Sequence, residues 1–115
     1  MARNHNTRSD GKRFDEATVE AVWKKGKPEP NFHYFRKDVC GASIGHHHYG
    51  DTSSTFGWEI DHKKPVAKGG TDDLSNLQPL QWENNWHKGD NWPNWDCRNK
   101  SQNLDIQHLT VSKEQ

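Results

Sequence analysis

Asp61 and His62 stand side by side at the end of a short run, Trp58-Glu59-Ile60, and two asparagines follow them at intervals of fourteen (His62 to Asn76) and nine residues (Asn76 to Asn85). A carboxylate and an amide oxygen are hard donors suited to Mg²⁺ or Mn²⁺. A neutral imidazole can take the proton from an attacking water near neutral pH. Lys63, Lys64 and Lys68 lie beside them and favour a polyanion. Residues of these types together suit the hydrolysis of a phosphodiester. Each also has a plainer reading when taken alone. A histidine after an acid is ordinarily a surface residue, an aspartate often caps a turn, and a helical asparagine is usually solvated.

Four pieces in order, EIDH (59–62), PVxxGG (65–70), LSNLQPL (74–80) and NNxxKGD (84–90), resemble the HNH nucleases, also called the ββα-metal family. The resemblance covers about a third of the chain. It implies His62 as general base and Asp61 as a metal ligand. It implies Asn85 as the second ligand through its amide oxygen, with spacing favouring Asn85 over its neighbours Asn84 and His87. His87 is either an additional ligand or a phosphate contact. Asn76 would tether the long loop through backbone hydrogen bonds and orient the base. Such a site holds one Mg²⁺ or Mn²⁺. Lys63, Lys64 and Lys88 would contact the backbone of DNA, double-stranded by preference, without reading its sequence. One such site cuts one strand at a time, and a double-strand break needs two nicks or a dimer.

Relatives in that family often carry a structural zinc on two CxxC pairs. Here the corresponding places read Cys40-Gly-Ala-Ser43 and Gln81-Trp-Glu-Asn84, so a closed four-cysteine site cannot form. No structural zinc is expected, and tryptophan packing is expected in its place.

The elements that must position these groups can be read along the chain. Residues 1–13 are polar and basic and read as a flexible arm. A helix is expected over 14–25: Asp15 suits the N-cap, Phe14 and Val19 have staple spacing, and Gly26 and Pro28 end it. Phe14, Thr18, Ala21 and Val22 form its buried stripe. Residues 32–44 read as an irregular strand or hairpin. His46, His47 and His48 read as a solvated turn, because consecutive side chains do not converge on one ion. A strand over 58–61 puts Trp58 and Ile60 on one face and Glu59 and Asp61 on the other. A loop over 63–75 turns at Gly69-Gly70, a short strand spans 76–80, and a helix spans 81–88. Trp82 and Trp86, four residues apart, should cover the core. Trp92 and Trp95 should pack back on the domain, and Leu104, Ile106 and Leu109 form a last short element.

The expected fold is therefore α+β: a ββα-metal core at about 57–90 with an N-terminal helix and irregular flanks, forming one domain over 14–115. Hydrophobic residues are only 29% of the 115, but six tryptophans and zero net charge argue for a thin aromatic core rather than disorder. Sixteen basic residues balance sixteen acidic ones, which permits a nucleic-acid partner without suggesting one. No apolar run reaches the ~18 residues of a membrane span, and the polar start is no secretion signal. Cytoplasm is the expected setting; Cys40 and Cys97 could pair in an oxidising compartment, and reduced thiols are the expectation in the cytosol. Two other readings stand beside a metal-dependent endonuclease: a non-catalytic nucleic-acid or protein-binding module, and a toxin domain neutralised by an immunity protein.

Overall fold

A computed structural model describes residues 4–100. Two helices and two small antiparallel sheets make up an α+β arrangement. Asp15 caps α1 (Glu16–Trp23), accepting from the Thr18 N–H at 2.8 Å. Phe14 and Val19 both reach the core, as a hydrophobic staple requires. The helix stops short of its expected end: the Lys25 and Gly26 N–H groups bond back only three residues, to the Val22 and Trp23 carbonyls, and the Lys25 amine reaches the carbonyls of Leu74 and Leu77. That contact ties the helix end to the turn at Leu74–Asn76 and to the start of the strand that follows it.

Strands β1 (Lys27–Pro28), β2 (Phe35–Lys37) and β3 (Ser43–Gly45) form a three-stranded antiparallel sheet, so a hairpin does occupy the aromatic segment. Asp38 makes its turn, accepting from the N–H groups of Cys40 and Ala42 at 2.9 Å each. The second sheet pairs β4 (Trp58–His62) with β5 (Leu77–Gln81), Trp58 opposite Gln81 and His62 opposite Leu77. Helix α2 (Trp82–Lys88) follows at once. Strand and helix each begin one residue later than expected. Asn76 closes a 3-10 turn (Leu74–Asn76), and the Gln81 side chain caps α2 by accepting from Glu83 and Asn84 N–H.

The core is Phe14, Val22, Trp23, Ile44, Trp58, Ile60 and Leu77, with the Trp23 and Trp58 ring centroids 5.4 Å apart. Trp82 and Trp86 are not its cover. They pack edge to face on one another, and Trp86 is 45% exposed. Trp82 is half-buried and donates to the Ser54 carbonyl at 2.8 Å, and Trp86 donates to Glu59 at 2.9 Å.

Three further expectations are corrected. Residues 4–13 are not a loose arm: Asn6, in the left-handed region at φ 61°, accepts from the Ile60 N–H at 2.8 Å and the Tyr49 hydroxyl at 2.9 Å. His5 stacks on Trp86 at 4.8 Å. The arm thus covers the edge of β4 that β5 leaves open. Tryptophan packing does not replace the zinc cysteines either. Asp38 accepts from the Gln81 N–H at 2.9 Å and the Asn84 side-chain amide at 3.0 Å, and Asn84 in turn accepts from Arg98 and Asn99 N–H. Buried polar groups joined by hydrogen bonds hold those positions together. Cys40 and Cys97 are not free thiols; they form a disulfide with Cα atoms 5.8 Å apart.

The three histidines form a short 3-10 turn (His46–His48) and go separate ways. His46 meets Glu20 at 2.7 Å, His47 lies beside Tyr34, and His48 meets Ser54 at 2.7 Å. Trp95 does pack back, its ring 5.9 Å from the Lys88 amine. The element expected around Leu104, Ile106 and Leu109 lies outside the described residues. Among the described residues no helix is long and apolar enough to cross a membrane.

Candidate functional site

Strand alternation sends Asp61 and His62 to opposite sides of β4, and the contacts of each bear this out. Asp61 faces α2. Its Oδ1 lies 3.3 Å from the Lys88 amine and its Oδ2 accepts from Gln78 at 2.9 Å. Burial pushes the Asp61 carboxyl up, against the pull of the Lys88 ammonium and the Gln78 amide. His62 sits on the other side, its ring 5.9 Å from that of Phe14. Because they are the last two residues of the strand, both still line one cavity of about 270 Å³ at its end.

The loop after His62 is pinned by Asn76. The Asn76 side chain accepts from Lys64 N–H at 2.9 Å and donates to the carbonyls of Lys64 (3.1 Å) and Thr71 (2.8 Å). Its own carbonyl accepts from Lys63 N–H at 2.7 Å. The two glycines of the loop are needed for different reasons. Gly69 takes a positive φ of 91°, and a Cβ on Gly70 would lie 1.7 Å from the Lys64 carbonyl oxygen. So folded, the loop delivers Asp72, whose Oδ1 meets His62 Nε2 at 2.8 Å. Desolvation alone would raise the Asp72 carboxyl; bonds from the Ser9 hydroxyl, the His62 ring and the Ser9 N–H outweigh it and hold it at about 2.

Helix α2 contributes Asn85 and Lys88, three residues apart on one face and both buried. Asn85 Nδ2 donates to Glu59 Oε1 at 2.8 Å. A carboxylate only accepts, so this bond fixes which end of the amide faces Glu59. Among the described residues nothing donates to Asn85 Oδ1, and Asn85 lines the same cavity as Asp61 and His62. One carboxylate and one unspent amide oxygen fit a hard divalent cation that keeps most of its waters. Three acidic, histidine or cysteine donors do not converge anywhere among the described residues.

Of the residues expected in the site, Asp61, His62 and Asn85 come together at the cavity, and Asn76 braces its loop from behind. The alternatives to Asn85 do not reach it. Asn84 is turned into the Asp38 network, and His87 is exposed on the outer side of α2. Lys88 is corrected outright as a phosphate contact: it is fully buried and its amine is spent on Asp61 and the His62 carbonyl at 3.0 Å. Lys63 lines a second opening of about 370 Å³ with Lys25, Lys27 and Lys37, and the Lys64 amine lies 5.2 Å from the Trp92 ring.

Asp72, Ser9 and Asn6 were missed. Asp72 lies in a run of polar loop residues (Thr71-Asp72-Asp73) where nothing in the local pattern separates one aspartate from the next. Ser9 and Asn6 act across 63 and 54 residues of sequence.

Residues 39–91 match the family model described as HNH endonuclease, which bears out the resemblance read from the motifs. Neither a curated protein nor a solved structure matches the chain.

Proposed function

We propose that the HNH endonuclease domain recognised at residues 39–91 makes this chain a metal-dependent endonuclease that hydrolyses phosphodiester bonds in DNA, nicking one strand per site. The observation that carries the reading is the convergence of Asp61, His62 and Asn85 on one cavity, with the amide oxygen of Asn85 left without a protein partner among the described residues. Strands β4 and β5 with α2 then serve as the ββα-metal core. Asp61 and Asn85 would hold one Mg²⁺ or Mn²⁺, which when bound offsets charge on the scissile phosphate and on the leaving oxygen. His62 takes the proton of the attacking water. Asn76 keeps the loop at a fixed height above the strand end. Lys88 orients Asp61 from beneath, while Lys63 and Lys64 meet flanking phosphates at the surface.

Two observations bear on rival readings. Both oxygens of Asp61 already have protein partners, which favours a non-catalytic binding module that kept the fold. The Cys40–Cys97 disulfide favours an oxidising setting over the cytoplasm. Supercoiled plasmid separates the first rival from the enzyme. Conversion to the open circle in Mg²⁺ or Mn²⁺, lost in excess EDTA and falling steeply with salt, is expected. Binding without cutting under every metal condition would favour the module, and cutting in excess EDTA would overturn the metal mechanism.

A further inference from the structure

We propose that Asp72 is a positioning residue that fixes the tautomer of His62, and that Ser9 of the N-terminal arm holds Asp72 in place for this. The inference rests on the reading of His62 as the general base. The geometry is a chain of three side chains from distant parts of the sequence. Asp72 Oδ1 accepts from His62 Nε2 at 2.8 Å. Ser9 N–H lies 2.9 Å from Oδ1 and 3.2 Å from Oδ2, and the Ser9 hydroxyl donates to Oδ2 at 2.6 Å. Arm, loop and strand end are thus locked at one carboxylate.

The chemical consequence follows from donor and acceptor inventory. An ionised carboxylate can only accept, so its bond to Nε2 requires the proton there. In the neutral ring Nδ1 is then the bare nitrogen. Among the described residues nothing bonds Nδ1. It is not sealed away either: Trp58 Nε1 is the lone fully buried side-chain polar atom without a partner among them. The nitrogen that can accept a proton from water is therefore the one the protein leaves open. Without Asp72 the imidazole would distribute its proton over both nitrogens and turn more freely about χ2. Partners that orient metal-bound histidines are worth about 10- to 100-fold in activity, and a similar loss is expected for the partner that orients this base.

The neighbours also say what an amide at position 72 would do. With its oxygen in the Oδ1 position it accepts from both His62 Nε2 and Ser9 N–H, and its NH₂ in the Oδ2 position donates to the Ser9 hydroxyl. Every partner stays satisfied and the proton stays on Nε2. Asp72→Asn is therefore the conservative variant and Asp72→Ala the disruptive one.

The test joins nitrogen-15 NMR of the His62 ring in the full chain, at mildly alkaline pH, to plasmid-nicking kinetics. Wild type is expected to carry the Nε2–H tautomer. Asp72→Ala is expected to lose that preference and about 10- to 100-fold in kcat, with KM within about twofold. Asp72→Asn is expected to keep the tautomer and recover most of kcat. Ser9→Ala, which removes one bond and leaves the fold intact, is expected to lower kcat several-fold in the same direction. A wild-type Nδ1–H ring, an unchanged tautomer in Asp72→Ala, or an Asp72→Asn no more active than Asp72→Ala would each overturn the assignment. If wild type fails to nick with any metal, the endonuclease reading fails, and the tautomer of wild type against Asp72→Ala still decides the role of Asp72.

Discussion

The Lys88 amine lies 3.3 Å from Asp61 Oδ1 with both side chains almost wholly out of water, at 1% and 7% exposure. An ammonium so placed is compensated by three contacts: Asp61, the His62 carbonyl and the face of Trp95. Removing it leaves a buried carboxylate with one amide partner. Lys88→Met is therefore expected to destabilise the metal-free protein by about 3–5 kcal/mol at neutral pH. Saturating Mg²⁺ should restore part of that loss if a cation binds at Asp61. Urea unfolding with and without Mg²⁺ measures both effects. A variant as stable as wild type would show that the pair does not hold the strand to α2.

Asn6 is expected to matter more than an arm residue should. Its side-chain oxygen accepts from the N–H of Ile60, a residue 2% exposed, and from Tyr49. Asn6→Ala strands a buried donor, at about 1–3 kcal/mol. Thermal or urea unfolding checks this, with Asn4→Ala as a control at an exposed neighbour. Equal stability of the two variants would return the arm to the loose state that its composition suggested.

The contact between arm and loop should depend on pH in a predictable direction. Asp72 is held at about 2, below its ordinary value of 3.8. A carboxylate depressed in the folded state stabilises the fold fully above its unfolded value, and the contribution disappears as pH falls toward the folded one. Hydrogen exchange of the Ser9 amide should stay slow above about pH 4 and speed up, after correction for the intrinsic rate, between there and about pH 2. Ser9 protection unchanged to the bottom of that window would contradict the assignment of the contact to the ionised form.

What could be read from the chain beforehand was whatever obeys local rules. Asp15 as a cap, Trp58 and Ile60 on the core face and the Gly69-Gly70 turn follow from periodicity and turn chemistry, whereas the set Asp61, His62, Asn76 and Asn85 comes from the resemblance of four motifs in order to the HNH nucleases. What escaped depends on meetings between distant segments. Lys88 looked like a surface cation because nothing in Asn-Trp-His-Lys-Gly tells which helical face is inward until Asp61 is seen beneath it. Trp23, not Trp86, is in the core because α1 rolls its last turn onto Trp58. Asp38 replaces a metal's organising role by accepting four hydrogen bonds, two within its own turn and two from α2's start. That role cannot be inferred from one aspartate after a lysine.

The division of labour between His62 and the two oxygen donors is the centre of the account. Calorimetric binding of Mg²⁺ or Mn²⁺, measured beside plasmid nicking over a metal titration, tests it for His62→Ala, Asp61→Ala and Asn85→Ala. His62→Ala is expected to bind metal as wild type does and to lose about 10²- to 10⁴-fold in cutting rate at every metal concentration. Asp61→Ala and Asn85→Ala are expected to bind metal more weakly and to regain part of their activity as it is raised. The contrary result is a His62→Ala protein that no longer binds the ion, beside an Asn85→Ala protein that binds it normally and still cuts.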